Sequence, residues 1–163
     1  MDDAATTTEA ELRGESERER LNRNLNELLQ ELRVAETGVQ ILFAFLLTLP
    51  FTQRFGEVTA FERDVYFATL LLAGVASALF IGPVAYHRLL FRQKEKAQIV
   101  LAGNWMALGG LACLAVAING VILLITHFLF GGLAAGIATG CMAVVVALLW
   151  YALPLVRLLR GAR

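Results

Sequence analysis

AQIVLAGNWMALGGLACLAVAINGVILLITHFLFGGLAAGIATGCMAVVVALLWYALPLV, residues 97–156, runs for 60 residues without a single Asp, Glu, Lys or Arg. A helix crossing a bilayer needs roughly 17 to 25 apolar residues at about 1.5 Å rise each. The run is far too long for one crossing and must turn back on itself. The best break is His127-Phe128-Leu129-Phe130-Gly131-Gly132, where a histidine and a glycine pair interrupt the apolar residues. Two spans result, about 99–126 and 133–156. A further break at Asn119-Gly120 would leave Val121 to Phe130 too short to cross.

Working back towards the N-terminus, two more uncharged runs appear, Thr37 to Gln53 and Val65 to His87. Each is one span, about 37–53 and 65–87. Across the chain 58% of residues are hydrophobic, 17% are charged and the mean hydropathy is +0.64, too apolar for an ordinary soluble domain of 163 residues. The predicted fold is all-α: an integral membrane four-helix bundle over residues 36–156, preceded by a cytoplasmic amphipathic helix over residues 16–35. Residues 1–15, rich in Thr, Glu, Ala and Asp, read as a disordered tail. Residues 157–163 form a short basic one.

Orientation follows from the basic residues. One side receives residues 1–36, the segment His87 to Gln98 and the tail, with twelve Lys and Arg; the other receives Gln53 to Asp64 and the 127–132 turn, with two. That bias predicts both termini in the cytoplasm of a plasma membrane. Tyr66, Tyr86, Trp105, Trp150 and Tyr151 fall towards span ends, where amphipathic rings favour the headgroup region. The opening Met1-Asp2-Asp3 lacks the basic and apolar regions of a cleavable signal. Formal net charge is zero, which offers nucleic acid no basic footprint, so no nucleic-acid partner is expected.

Ser16 and Glu19 fit a capping box and mark a helix start. Beyond them Leu21, Leu25, Leu28 and Leu32 recur four, three and four apart, a seam that continues into the first span through Ala35, Val39, Leu42, Leu46 and Leu49. Those four leucines are candidates for docking a partner. The competing readings are an interfacial helix and packing beneath the bundle, the first weakened by a polar face that mixes Arg with Glu. Small residues recur at every fourth position in Gly74, Ala78 and Gly82 and in Gly132, Gly136 and Gly140. Such stripes let helices approach closely, either within the chain or between copies of it in a homo-oligomer.

No chemistry-bearing constellation emerges. Ser, Thr and Tyr residues lack the base and oxyanion donors of an activated nucleophile. His87 and His127 fall at opposite ends of spans about 30 Å long and cannot share an iron. Cys113 and Cys141 have no CxxC or Cys-His spacing. Neither an enzyme nor a cofactor is expected, and no clear buried charge marks an ion path. Asn119 reads as a hydrogen-bonding contact between helices. Arg88, Arg92, Lys94 and Lys96 form a basic cytoplasmic segment suited to anionic lipid.

The stretch Leu21-Asn22-Arg23-Asn24, Asn26-Glu27-Leu28-Leu29-Gln30-Glu31-Leu32-Arg33-Val34 and Thr37-Gly38-Val39-Gln40-Ile41-Leu42-Phe43-Ala44-Phe45-Leu46-Leu47, with His87-Arg88 downstream, resembles a family of small four-span membrane proteins of unknown function in high-GC Gram-positive bacteria. The resemblance implies four spans and a bacterial plasma membrane. It implies no activity and carries no site residue over. Two functional expectations remain: a non-enzymatic scaffold that works by association with a membrane partner, and a small oligomeric transporter or channel. A redox membrane subunit is a third and weaker alternative.

Overall fold

The structure is a computed structural model that describes residues 2–90, 96–153, 156 and 157; chiefly before residue 26 and at 87–100, only the backbone is described for many of them. Four long helices carry the chain: α1 (Asp2–Thr48), α2 (Ala60–Leu90), α3 (Lys96–Phe130) and α4 (Gly132–Ala147). Short 3-10 turns, Leu49–Phe51 and Gln53–Glu57, connect α1 to α2, a π-helical turn, Leu148–Ala152, follows α4, and no strand occurs among the described residues. Among the described residues four stretches are long and apolar enough to cross a membrane: Asn26–Phe51, Ala60–Tyr86, Leu101–Phe130 and Gly132–Ala152. The protein is an all-α, multi-pass membrane protein built as a four-helix bundle. Its outward residues agree, since Leu133 is 84% and Ile137 62% exposed, a surface that lipid covers without cost.

The helix boundaries have local causes. Pro50 has no N–H to give to Leu46 O four residues back and ends α1; that carbonyl accepts the Tyr66 hydroxyl at 3.0 Å instead, while Thr48 Oγ1 donates to Phe45 O and Thr52 Oγ1 to Leu49 O, each at 2.7 Å. Between α3 and α4 only Gly131 leaves the helical conformation, at φ 85°, a region that favours glycine. The expected break across 127–132 thus contracts to one residue. Helical hydrogen bonding continues through His127 and Phe130 because apolar helix is the cheapest backbone state in hydrocarbon.

Among the described residues α1 is helical from Asp2, whereas the sequence reading expected a tail over residues 1–15 and a helix start at Ser16. Ala, Glu, Arg and Leu dominate residues 9–20, and their helix propensity prevails over the local cap. The amphipathic helix and the first span are likewise one continuous element, with the apolar stretch beginning at Asn26 rather than residue 37.

The chain divides into two compact units. Residues 1–38 and 77–110 form the first. Its core holds Leu32, Phe80, Pro83 and Ala107, and small residues on α3 make the room: a Cβ on Gly110 would fall 2.5 Å from Phe80 Cε1, and one on Gly103 would fall 2.8 Å from Leu28 Cδ2. Pro83, inside α2, is fully buried there. The second unit comprises residues 39–76 and 111–163. Leu46, Tyr66, Ala73, Ala117 and Leu124 form its core, with Phe43, Phe55 and Val121 packed against them. Tyr66 buries its ring edge-on to Phe55 and donates its hydroxyl to Leu46 O at 3.0 Å, which satisfies the only polar atom it brings in.

Candidate functional site

Within the second unit, the beginning of α2 and the end of α3 bring together an acid and an imidazole. Thr59 and Glu62 form a capping box: Glu62 N–H donates to Thr59 Oγ1 at 3.3 Å, and Thr59 N–H donates back to Glu62 Oε2 at 2.7 Å. The Thr59 hydroxyl also donates to Oε2, at 2.9 Å. The other oxygen, Oε1, lies 2.9 Å from His127 Nδ1. Glu62 is only 4% exposed. A carboxylate so placed only accepts hydrogen bonds, so Nδ1 of His127 carries the proton and Nε2 is the ring's remaining site.

The backbone supports this charge arrangement twice. An acid in the first turn of a helix and an imidazole in the last turn of another both complement the helix dipoles. Phe61 packs against the His127 ring at 5.2 Å between centroids and covers it on one side. Among the described residues no group of three or more His, Cys, Asp or Glu stands where it could hold a metal ion.

An apolar pocket of about 330 Å³ lies in the same unit, between the α1–α2 connection and the last turns of α3. Leu49, Phe55, Val58, Leu124, Ile125, Phe128 and Leu129 line it, with Thr52, Gln53 and Arg54 contributing from the connection. The Arg54 guanidinium stacks over the Phe128 ring, 4.9 Å from its centroid, and its Nε lies 3.6 Å from Glu57 Oε2. In the first unit a second cavity of about 370 Å³ is bounded by Leu29, Leu32, Arg33, Glu36, Phe80, Ile81 and Val84. Ser77 Oγ donates to Glu36 Oε1 there at 3.0 Å.

The residues singled out in the sequence separate into several environments. Leu32 is buried and Leu28 half-buried against the position of Gly103, so the inner part of the leucine seam is occupied within the chain. The side chains of Leu21 and Leu25 lie outside the described residues. On α2, a Cβ on Gly74 would meet Phe43 Cε2 at 3.5 Å and one on Gly82 would meet Met106 Sδ at 2.9 Å, whereas Ala78 is exposed. On α4, Gly136 and Gly140 face open space, and Gly132 has only the His127 ring nearby, at 3.9 Å. Arg88 is exposed; Arg92 and Lys94 lie outside the described residues, as does the side chain of Lys96. Asn119 Nδ2 donates to Ala115 O of its own helix at 2.9 Å, and its buried Oδ1 has no protein partner, so it does not bridge helices as expected.

Glu62, and its pairing with His127, escaped the sequence reading. Using charged residues to bound the spans put Asp64 and everything just before it in a loop. Thr59-Ala60-Phe61-Glu62 ahead of an apolar run is nevertheless a capping-box signature and would have placed the helix start correctly. The expectation of no buried charge is corrected by the same residue: the cap and the imidazole together replace the water that Glu62 loses.

The profile of a family of unknown function (DUF6328) matches residues 14–154. No curated protein and no solved structure matches the chain. The chain belongs to the DUF6328 family.

Proposed function

We propose that the protein is a non-enzymatic component of the bacterial plasma membrane that acts by association, its bundle anchoring an N-terminal helical arm to which a partner docks. The observation that carries this reading is the length of α1. Its 47 residues extend for roughly 70 Å along the axis, against roughly 30 Å of hydrocarbon. More than half of the helix therefore serves something other than crossing. With Leu28 and Leu32 engaged in the first unit, the docking surface is the part before them, including Leu21 and Leu25.

On this proposal both termini are cytoplasmic, in keeping with the twelve-to-two distribution of basic residues. Arg88, Arg92, Lys94 and Lys96 then face the anionic inner leaflet, where each contributes up to about 1 kcal/mol of attraction. The test is a chain lacking residues 1–27, which keeps the packed Leu28 and Leu32. Expressed in its own membrane and treated with a short cross-linker, it inserts as the full-length chain does but loses the discrete heteromeric cross-linked species. The same species from both chains contradicts the proposal.

A second reading, an oligomeric transporter or channel, draws on the open face of Gly136 and Gly140. Close approach of two copies along that face is the arrangement small residues permit. Replacing Gly136 by Leu then alters solute flux through reconstituted liposomes, and unaltered flux argues against it.

A further inference from the structure

We propose that the pocket between the α1–α2 connection and the end of α3 binds a long-chain carboxylate, its alkyl chain inside the pocket and its anionic head on Arg54. This assignment goes beyond the association reading and does not depend on it, because the pocket lies wholly within the second unit.

Three observations converge. At about 330 Å³ the cavity sits at the small end of ligand pockets, which limits an occupant to about one lipid chain. Its walls, chiefly Leu49, Phe55, Val58, Leu124 and Ile125, offer apolar contact along the whole length and nothing for a polar interior group. Its position is that of a membrane boundary: the apolar stretches of the first and third spans end at Phe51 and Phe130, and the second begins at Ala60. A chain lying here enters from hydrocarbon while its head stays at headgroup level.

The head is specified by charge. Arg54 is the cation among the lining residues, and its guanidinium carbon lies over the Phe128 ring. A planar guanidinium matches a carboxylate in two parallel hydrogen bonds. Its present partner, Glu57, meets it only at 3.6 Å, with both side chains more than 60% exposed, a pairing worth little in water. An incoming carboxylate competes readily for the same group. Charge alone would also admit a monoanionic phospholipid; it is the cavity, with room for about one chain, that favours a single-chain anion.

The experiment uses the full chain in phosphatidylcholine vesicles with a hexadecanoic acid carrying a terminal diazirine, followed by irradiation and peptide mapping. The proposal predicts adducts concentrated on residues 49–58 and 124–129, suppressed by excess palmitate and not by adding phosphatidylglycerol to the vesicles. Val58→Trp, in the connection rather than the core, fills the cavity and lowers labelling there. Arg54→Gln lowers capture of the acid about tenfold, the usual worth of one charge-assisted bond, while leaving capture of the corresponding diazirine alcohol unchanged. Adducts spread over all exposed spans overturn the proposal, as does labelling indifferent to Val58→Trp. Suppression by phosphatidylglycerol but not palmitate overturns the single-chain assignment.

Discussion

Glu62 shows how a charge is accommodated at the edge of a membrane helix. One oxygen takes both the backbone N–H and the hydroxyl of Thr59, and the other takes the imidazole of His127. Exchanging Glu62 for Gln keeps an acceptor for Thr59 but removes the charge-assisted bond, so the variant is less stable by about 1–2 kcal/mol. Glu62→Ala removes the cap as well and costs more, about 2–4 kcal/mol. Reversible unfolding in mixed detergent measures both; equal stability of all three chains would mean the pair carries no weight. None of this pair was legible from charge counting, because a charged residue at a span end reads as loop whether or not it is capped and paired. The Thr-x-x-Glu spacing that reveals it is present in the sequence but is local, whereas its partner is 65 positions away.

At the scale of the helices, the small residues that look equivalent in sequence do different things. Gly110 admits the Phe80 ring, so Gly110→Ala forces a displacement and destabilises by about 1–3 kcal/mol. Gly136 faces open space, so Gly136→Ala is neutral or stabilises α4 by up to about 1 kcal/mol through helix propensity. Thermal unfolding midpoints of the two purified variants separate in opposite directions if the assignment holds; a shared fall would place Gly136 in a packed interface. The four-residue spacing singled out small side chains on α2 and α4 as candidates for packing. It could not reveal which stripe was filled, since that depends on the neighbour's side chain. The turn at Gly131, in contrast, was legible to within a few residues, because 60 uncharged residues have to reverse and glycine adopts the positive φ needed there.

For the molecule as a whole, length and hydropathy carried most of the architecture. Three uncharged runs, the longest turning back once, became four spans, and the fold class followed without reference to any side-chain contact. The continuity of α1 was less legible: polar residues 2–15 have no apolar face to declare a helix, and their propensity to extend the helix is a cooperative property of the neighbouring turns. Both the association proposal and the placement of the basic segment 88–96 rest on a shared claim, that an even number of crossings returns the chain to the cytoplasm. Single-cysteine chains test it, with Cys113 and Cys141 replaced by Ala and a new cysteine at Ser16, Gln53 or Gln93. A membrane-impermeant maleimide applied to intact spheroplasts is predicted to label Gln53→Cys alone, with Ser16→Cys and Gln93→Cys reacting only after lysis; labelling of Ser16→Cys in intact spheroplasts, or protection of Gln53→Cys, would contradict it.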